Sequence, residues 1–167
     1  MPGLGTWIVL AILALAVLAG LLSVGVHYWQ GRRALEFWGP QPARLIAGAR
    51  QTEIWRLAPP GGLATSTRAG SEPFEVVERK ELTKARGLSN IRHALLNDST
   101  YDWNQHPPQR PNWQYALRFF EGDQEAVVLL DLAGGAASLA GRPSVVAIKP
   151  EASAALRAFC AEQFSEK

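Results

Sequence analysis

Residues 7–26 form one uninterrupted apolar run without a charged side chain, WIVLAILALAVLAGLLSVGV. At a rise of about 1.5 Å per residue, about 20 helical residues span the roughly 30 Å hydrocarbon core of a bilayer. Trp7 at one end and Tyr28 with Trp29 at the other lie where interfacial aromatic residues are enriched. The run therefore predicts a transmembrane anchor helix over residues 7–29, preceded by a short tail of residues 1–6.

A cleaved signal peptide is the alternative interpretation of this run. Such a peptide has a positively charged start, an apolar stretch of about 7–15 residues and a cleavage site of small residues. Residues 1–6 contain no Lys or Arg, the apolar run is longer, and the bulky sequence HYWQ follows it. These features favour a retained signal anchor.

Basic residues follow the run but do not precede it; those that follow are Arg32, Arg33, Arg44 and Arg50. Because basic residues near the ends of a span favour the cytoplasmic side, we expect the C-terminal domain to be cytoplasmic and the protein to lie in the cell membrane. Arg32 and Arg33 also belong to the predicted membrane interface. The single Cys160 is consistent with a reducing compartment, since secreted domains usually carry paired cysteines. The opposite topology stays open, because the bias depends on few charges.

Small residues recur three and four positions apart within the run and share one face of the predicted helix: Ala16, Ala19, Gly20 and Ser23. Small side chains at this spacing let a second membrane helix approach closely, so this face predicts helix packing. The alternative is that these residues reflect only the high Ala and Gly content of membrane helices.

The rest of the chain predicts an α+β fold. Residues 30–50 are expected to form a juxtamembrane helical segment, with a new short helix beginning near Pro40, since proline is tolerated in a first turn. Residues 51–167 are expected to form a soluble domain, whose antiparallel sheet of about four to six strands packs against two or three helices. The predicted strands are residues 52–58, 74–82, 113–119, 126–132, 137–139 and 145–148. Apolar and polar residues alternate over 113–119, which predicts a half-buried strand, and Gly122-Asp123 is expected to close a hairpin into 126–132. The predicted helices are 87–97, where Leu88, Ile91 and Leu95 recur at helical spacing, and 150–164, whose apolar face includes Cys160 and predicts that this thiol lies in the core. Residues 63–72 are expected to form an exposed loop.

Sequence motifs for nucleotide binding, nucleophilic catalysis and zinc binding are missing from the chain. The net charge of +2, with both signs interspersed, gives no indication of nucleic-acid binding. One polar pattern remains: Asp98, Asp102 and His106 are four residues apart and would share a helix face, where they could hold a metal or perform acid–base chemistry. Pro107 and Pro108 follow at once, which disfavours a helix there. The sequence therefore predicts no catalytic, cofactor or metal site.

The segment 98–112 is long for a loop and is followed by Trp113. Tyr101, Trp103 and Trp113, together with Arg110, are residue types that dominate protein interfaces. They are candidates for binding a partner, unless these aromatic side chains pack onto their own sheet.

Taken together, these features predict a non-enzymatic single-pass membrane protein, an accessory or scaffolding subunit of a larger membrane complex. Its expected partners are the lipid bilayer and other membrane protein subunits, without cofactors or nucleic acid. The alternatives are a membrane-tethered sensor domain that binds a ligand between sheet and helix, and a hydrolase-type enzyme that uses Asp98, Asp102 and His106. The segments FWGPQPARLI and RGLSNIRHALLND resemble small membrane-anchored bacterial proteins in a general way, and this resemblance implies no activity.

Overall fold

The structure is a computed structural model that describes residues 12, 13, 15, 17, 32–58, 66–69 and 72–165. No helix formed by these residues is long and apolar enough to cross a membrane. The predicted anchor over residues 7–29 lies mostly outside the described residues. The four positions common to both are helical and well exposed: Ile12, Leu13, Leu15 and Val17.

From residue 32 onward the described chain forms four α-helices and eight strands. The helices are α1 (Arg32–Trp38), α2 (Pro40–Gly48), α3 (Leu88–Leu96) and α4 (Pro150–Ser165), with a 3-10 turn at Asp98–Thr100. The strands are β1 (Gln51–Leu57), β2 (Ser66–Ala69), β3 (Glu72–Glu81), β4 (Tyr101–Asp102), β5 (Tyr115–Glu121), β6 (Gln124–Asp131), β7 (Ala136–Leu139) and β8 (Val145–Ile148).

The described strands join in the order β2-β3-β1-β5-β6-β7-β8-β4, and each neighbouring pair is antiparallel. The predicted α+β class with an antiparallel sheet is confirmed. The strand number was predicted too low, because β2 and β4 lie in segments expected to be loops. Residues 66–69, within the predicted loop 63–72, pair with the start of β3, and Ala69 lies opposite Glu72. The pairing thus joins neighbouring segments, and Thr67 is a residue type that strands favour.

The predicted hairpin between β5 and β6 is confirmed. Glu121 pairs with Gln124, which leaves Gly122 and Asp123 as a two-residue turn. Gly122 has a φ of 58°, a conformation that glycine adopts without strain and that such tight hairpin turns require.

All four helices cover one face of the sheet. Ile54, Leu117 and Val128 lie side by side on β1, β5 and β6, and all three are fully buried. The helices close this core with Trp38, Ile46, Leu95 and Leu156. Two or three packing helices were predicted, and that number was too low, because both helices of the segment 30–50 bury apolar side chains in this core. Cys160 also lies in it and is fully buried, as the pattern of α4 indicated.

The opposite face of the sheet carries a second apolar cluster: Trp55, Leu57, Phe74, Ala116, Val127 and Leu129. None of the four helices described from residue 32 onward contributes a residue to it. Trp55 lies instead beneath the guanidinium groups of Arg79 and Arg118, at 4.9 and 5.7 Å from its ring. Long basic side chains can cover apolar surface with their stems and stack on aromatic rings, and these two arginines help to bury Trp55, which is 4% exposed.

Candidate functional site

Asp98 holds the N-terminal end of α1, the first described helix beyond the apolar run, to the domain. The backbone amides of Arg33 and Ala34 donate to the two carboxylate oxygens of Asp98 at 3.1 and 2.6 Å. Amides in the first turn of a helix have no partner within the helix, and a carboxylate there also interacts favourably with the helix dipole. Asp98 lies more than 60 residues away along the chain, so this contact joins α1 to the body of the domain.

The C-terminal end of α1 is held by Arg142. Its Nη1 donates to the carbonyl oxygens of Phe37 and Trp38 at 3.3 and 3.0 Å. Gly39 follows with a φ of 79°, and a Cβ there would come within 3.1 Å of the Arg142 guanidinium. A cation at a helix C-terminus is favourable for the same reason as an anion at the N-terminus. The turn between α1 and α2 therefore depends on both Gly39 and Arg142.

Trp38, the last residue of α1, anchors this helix in the core. Its side chain is fully buried, and its Nε1 donates to the carbonyl oxygen of Leu95 at 2.7 Å. Its ring meets Phe37 and Tyr101 edge-on, at centroid distances of 4.8 and 6.2 Å. Aromatic pairs in this geometry contribute beyond their buried area. Phe37 and Trp38, at the C-terminal end of α1, thus pack this helix against α3 and residues 98–103.

Arg92 holds the second helix, α2, in the same manner. Its guanidinium donates to the carbonyl oxygens of Ala47 and Ala49 at 3.3 and 2.7 Å and to the Thr52 hydroxyl at 2.8 Å. Burial lowers the pKa of Arg92 from its ordinary value. Its Nε is buried and makes no hydrogen bond within the described residues. We refer to α1 and α2, together with Asp98, Arg142 and Arg92, as the junction.

Two of the predicted partner-binding residues, Tyr101 and Trp103, pack against this junction. Tyr101 is 1% exposed and its hydroxyl donates to the carbonyl oxygen of Leu95 at 2.6 Å, so in the described conformation it offers almost no surface to a partner. Desolvation raises the pKa of this phenol above its ordinary value. Trp103 is half-buried and donates to the Asp98 carbonyl at 3.1 Å.

The structure does not bring the other two predicted partner-binding residues to the same place. Arg110 is exposed in the loop that leads to β5. Trp113 is half-buried against the second apolar cluster, on the face of the sheet that lacks helices. A single recognition surface built from all four residues is therefore not present in the described conformation, whereas Trp103, Arg110 and Trp113 each keep some accessible surface.

Asp98, Asp102 and His106 do not share a helix face, because the chain passes from a 3-10 turn into β4 between them. Asp98 binds the α1 amides, and Asp102 accepts a local hydrogen bond from the Asn104 amide at 3.1 Å. His106 is exposed. Within the described part of the chain, no group of three His, Cys, Asp or Glu residues is placed to hold a metal ion.

A cavity of about 320 Å³ lies where α4 begins, between the β6–β7 turn and the loop that contains His106. Ser153 and Arg157 of α4 line it, but both side chains donate to the carbonyl oxygen of Leu132. The cavity is a cleft between sheet and helix of the kind expected for a ligand-binding sensor. The two polar side chains that α4 contributes to it are thus engaged within the protein.

Asp131, at the end of β6 beside this cavity, is a buried acid that sequence analysis did not single out. Its carboxylate is 3% exposed and accepts from the Asn112 amide, the Gln114 side chain and the Gly134 amide at 2.9, 3.3 and 2.7 Å. A carboxylate with this many donors is suited to fixing a turn. Asp131 therefore holds the β6–β7 turn together.

The remaining predicted site residues lie at the start of the chain. Arg32 and Arg33 are exposed in α1, and Arg32 forms an ion pair with Glu36 at 3.0 Å. The others lie outside the described residues: the helix-packing face Ala16, Ala19, Gly20 and Ser23, and the interfacial aromatic residues Trp7, Tyr28 and Trp29.

Comparison of the chain with models of known protein families, with curated protein sequences and with solved structures gives no match. The function must therefore be inferred from the sequence and the geometry of this molecule.

Proposed function

We propose that this chain is a non-enzymatic single-pass membrane protein that serves as an accessory or scaffolding subunit of a larger membrane complex. The apolar run of residues 7–26 supplies the anchor, and the domain is the part presented at the membrane surface. The observation that carries the proposal is the junction: the helix that follows the run is fixed to the domain at both ends, by Asp98 and Arg142.

A fixed junction suits a scaffold better than a flexible tether does. An anchor joined through a flexible linker would leave the domain free to sample many orientations. Here the two short helices after the run share the domain core, so the position of α1 sets the orientation of the sheet. A subunit that must present one surface to fixed neighbours in the membrane benefits from this arrangement.

The proposal is tested by purifying the full chain from its native membranes in mild detergent and identifying the proteins that accompany it. Gly20→Leu places a branched side chain on the small-residue face, where helices would approach closely, and keeps the run apolar. Gly25→Leu is the matched control, because it makes the same change on the far side of the predicted helix. We expect Gly20→Leu to lose partners that Gly25→Leu keeps. A wild-type protein that purifies alone contradicts the proposal.

Topology is tested separately with Val77→Cys, since Val77 is 61% exposed on β3. Burial raises the pKa of the native Cys160 thiol to about 12, so the introduced thiol reacts far faster. A cytoplasmic domain should resist a membrane-impermeant thiol reagent in sealed cells and react once the membrane is opened. Ready labelling in sealed cells reverses the proposed orientation.

The cavity at the start of α4 favours a second candidate, a membrane-tethered sensor domain. Native mass spectrometry of the full chain should then find a small molecule bound, and Ala154→Trp should expel it, because Ala154 lines the cavity. Ala155→Trp changes the neighbouring exposed position on the same helix and is the control. Absence of a bound molecule in the wild type argues against the sensor.

A further inference from the structure

An open apolar groove of about 820 Å³ runs between α1 and α2 on the outer side of the junction. Four apolar residues line it, Leu35, Pro40, Ala43 and Leu96. Arg32 and Arg44 also line it. Leu35 is 46% exposed. Beyond the apolar run, the other large apolar side chain that is well exposed in the described part of the chain is Val77, on β3.

The charge around this groove is net positive. Residues 32–50, which form both helices, contain four arginines and a single acidic residue, Glu36. Glu36 is already paired with Arg32. Arg44 is exposed and makes no ion pair within the described residues. The groove therefore combines exposed apolar surface with a net positive edge.

Chain length limits where this groove can lie. Arg32 is six residues beyond Val26, the last residue of the apolar run. A fully extended chain covers at most about 3.6 Å per residue, so Arg32 lies within about 22 Å of the end of the run. If the run spans the bilayer, α1 cannot leave the neighbourhood of the headgroup layer. Clusters of basic residues beside a span are attracted to anionic lipids.

We propose that the groove between α1 and α2 is the face with which the domain lies on the bilayer, where Arg44 binds the phosphates of anionic phospholipids. Leu35 enters the boundary between headgroups and acyl chains, as apolar residues of interfacial helices do. The inference rests on the proposed anchoring of the chain. It adds that the domain is held down on an acidic lipid surface and does not stand free above it.

The test uses the full chain reconstituted into vesicles of phosphatidylcholine alone or mixed with phosphatidylglycerol. A fluorophore is attached at Leu35→Cys, or at Val77→Cys as the control position, in a Cys160→Ala background. Lipids with a nitroxide near the headgroup quench fluorophores that touch the bilayer. We expect strong quenching at position 35 in anionic vesicles, weaker quenching in neutral vesicles or high salt, and little quenching at position 77.

Arg44→Gln and Arg110→Gln make the same charge change at two exposed arginines, only one of which borders the groove. One basic residue near an anionic surface changes the attraction about fivefold. Arg44→Gln should therefore weaken docking about fivefold and move the quenching toward its value in neutral vesicles. Arg110→Gln should leave the quenching unchanged.

Alkaline extraction of the vesicles separates failure of this inference from failure of the anchor. A chain that resists extraction but shows no quenching at position 35 is anchored without docking, and the inference is wrong. A chain that is extracted is not anchored, and the proposed function itself fails. A third outcome also overturns the inference. If a crosslinking label at position 35 captures another protein in native membranes, and the fluorophore there is not quenched in anionic vesicles, the groove is a protein interface.

Discussion

Asp98→Ala tests whether the domain depends on the contact between Asp98 and α1. The substitution removes the acceptor for two backbone amides of that helix. Arg33 is exposed, so its amide can turn to water at little cost. Ala34 is fully buried, and an amide left there without a partner costs about 1–3 kcal/mol. Loss of a carboxylate cap costs about 0.5–2 kcal/mol in other helices, so we expect the free energy of unfolding to fall by about 2 kcal/mol.

The assay is thermal unfolding of the full chain in detergent, followed by near-ultraviolet circular dichroism, with hydrogen exchange of the α1 amides as the local readout. A loss of about 2 kcal/mol lowers the melting temperature of a domain of this size by about 5–10 °C. Asp98→Asn keeps one oxygen acceptor but loses the charge, so its melting temperature should lie about halfway between those of the wild type and Asp98→Ala. Asp102→Ala removes only a local hydrogen bond to Asn104 and serves as the control.

Two results would refute the reasoning. If Asp98→Ala has the same melting temperature as the wild type and its α1 amides exchange no faster, then Asp98 does not hold the helix. If Asp102→Ala is as destabilising as Asp98→Ala, the effect belongs to the whole 98–102 turn and not to the cap.

Further predictions concern the domain interior and the cavity. Gly134→Ala should lower the free energy of unfolding by about 2 kcal/mol or more, because the new Cβ would lie 2.4 Å from the Asp131 carboxylate. Gly48→Ala is the control in the same unfolding assay. It should be neutral or slightly stabilising, because a Cβ there would have no neighbour within 4 Å. Burial raises the pKa of the Cys160 thiol from 9.0 to about 12, so above about pH 9 the unfolded chain loses a proton that the folded chain keeps. Stability should therefore fall by about 1 kcal/mol per pH unit from that point, and Cys160→Ala should remove this slope between about pH 9 and 10 in urea titrations. His106→Ala should leave the metal content of the purified protein unchanged, since this exposed side chain belongs to no cluster of metal ligands in the described chain.

Local patterns predicted the elements whose structure is decided locally. The alternation of residues 113–119 and the Gly-Asp pair at 122–123 gave the β5–β6 hairpin, and the helical spacing of Leu88, Ile91 and Leu95 gave α3. The alternation of residues 113–119 did not predict how deeply each side chain of the strand is buried. Ala116 was expected on a half-buried strand, yet it is fully buried, because Trp55 and Leu129 lie beside it on the face without helices.

The junction could not be predicted from the sequence, since each of its contacts joins distant parts of the chain. Asp98 was singled out, but its spacing from Asp102 and His106 suggested a catalytic group. Only the fold shows that its partners are amides more than 60 residues earlier. Arg142 lies in a Gly-Arg-Pro turn and carries no local signal for a helix end about 100 residues away.

The energetics of α1 explain why these contacts matter for the proposed role. An isolated helix of seven residues is not stable in water, since helices shorter than about 12–15 residues do not offset the cost of nucleation. The helix therefore persists because Asp98 and Arg142 bind its two ends and its last residue, Trp38, is buried in the domain core. Any displacement of the chain at residue 32 must then either carry the whole domain or break these contacts. Since each contributes on the order of 1–2 kcal/mol, moving the domain as a unit is the easier course. The orientation of the sheet is thereby coupled to that of α1, the described helix that lies nearest in sequence to the proposed anchor.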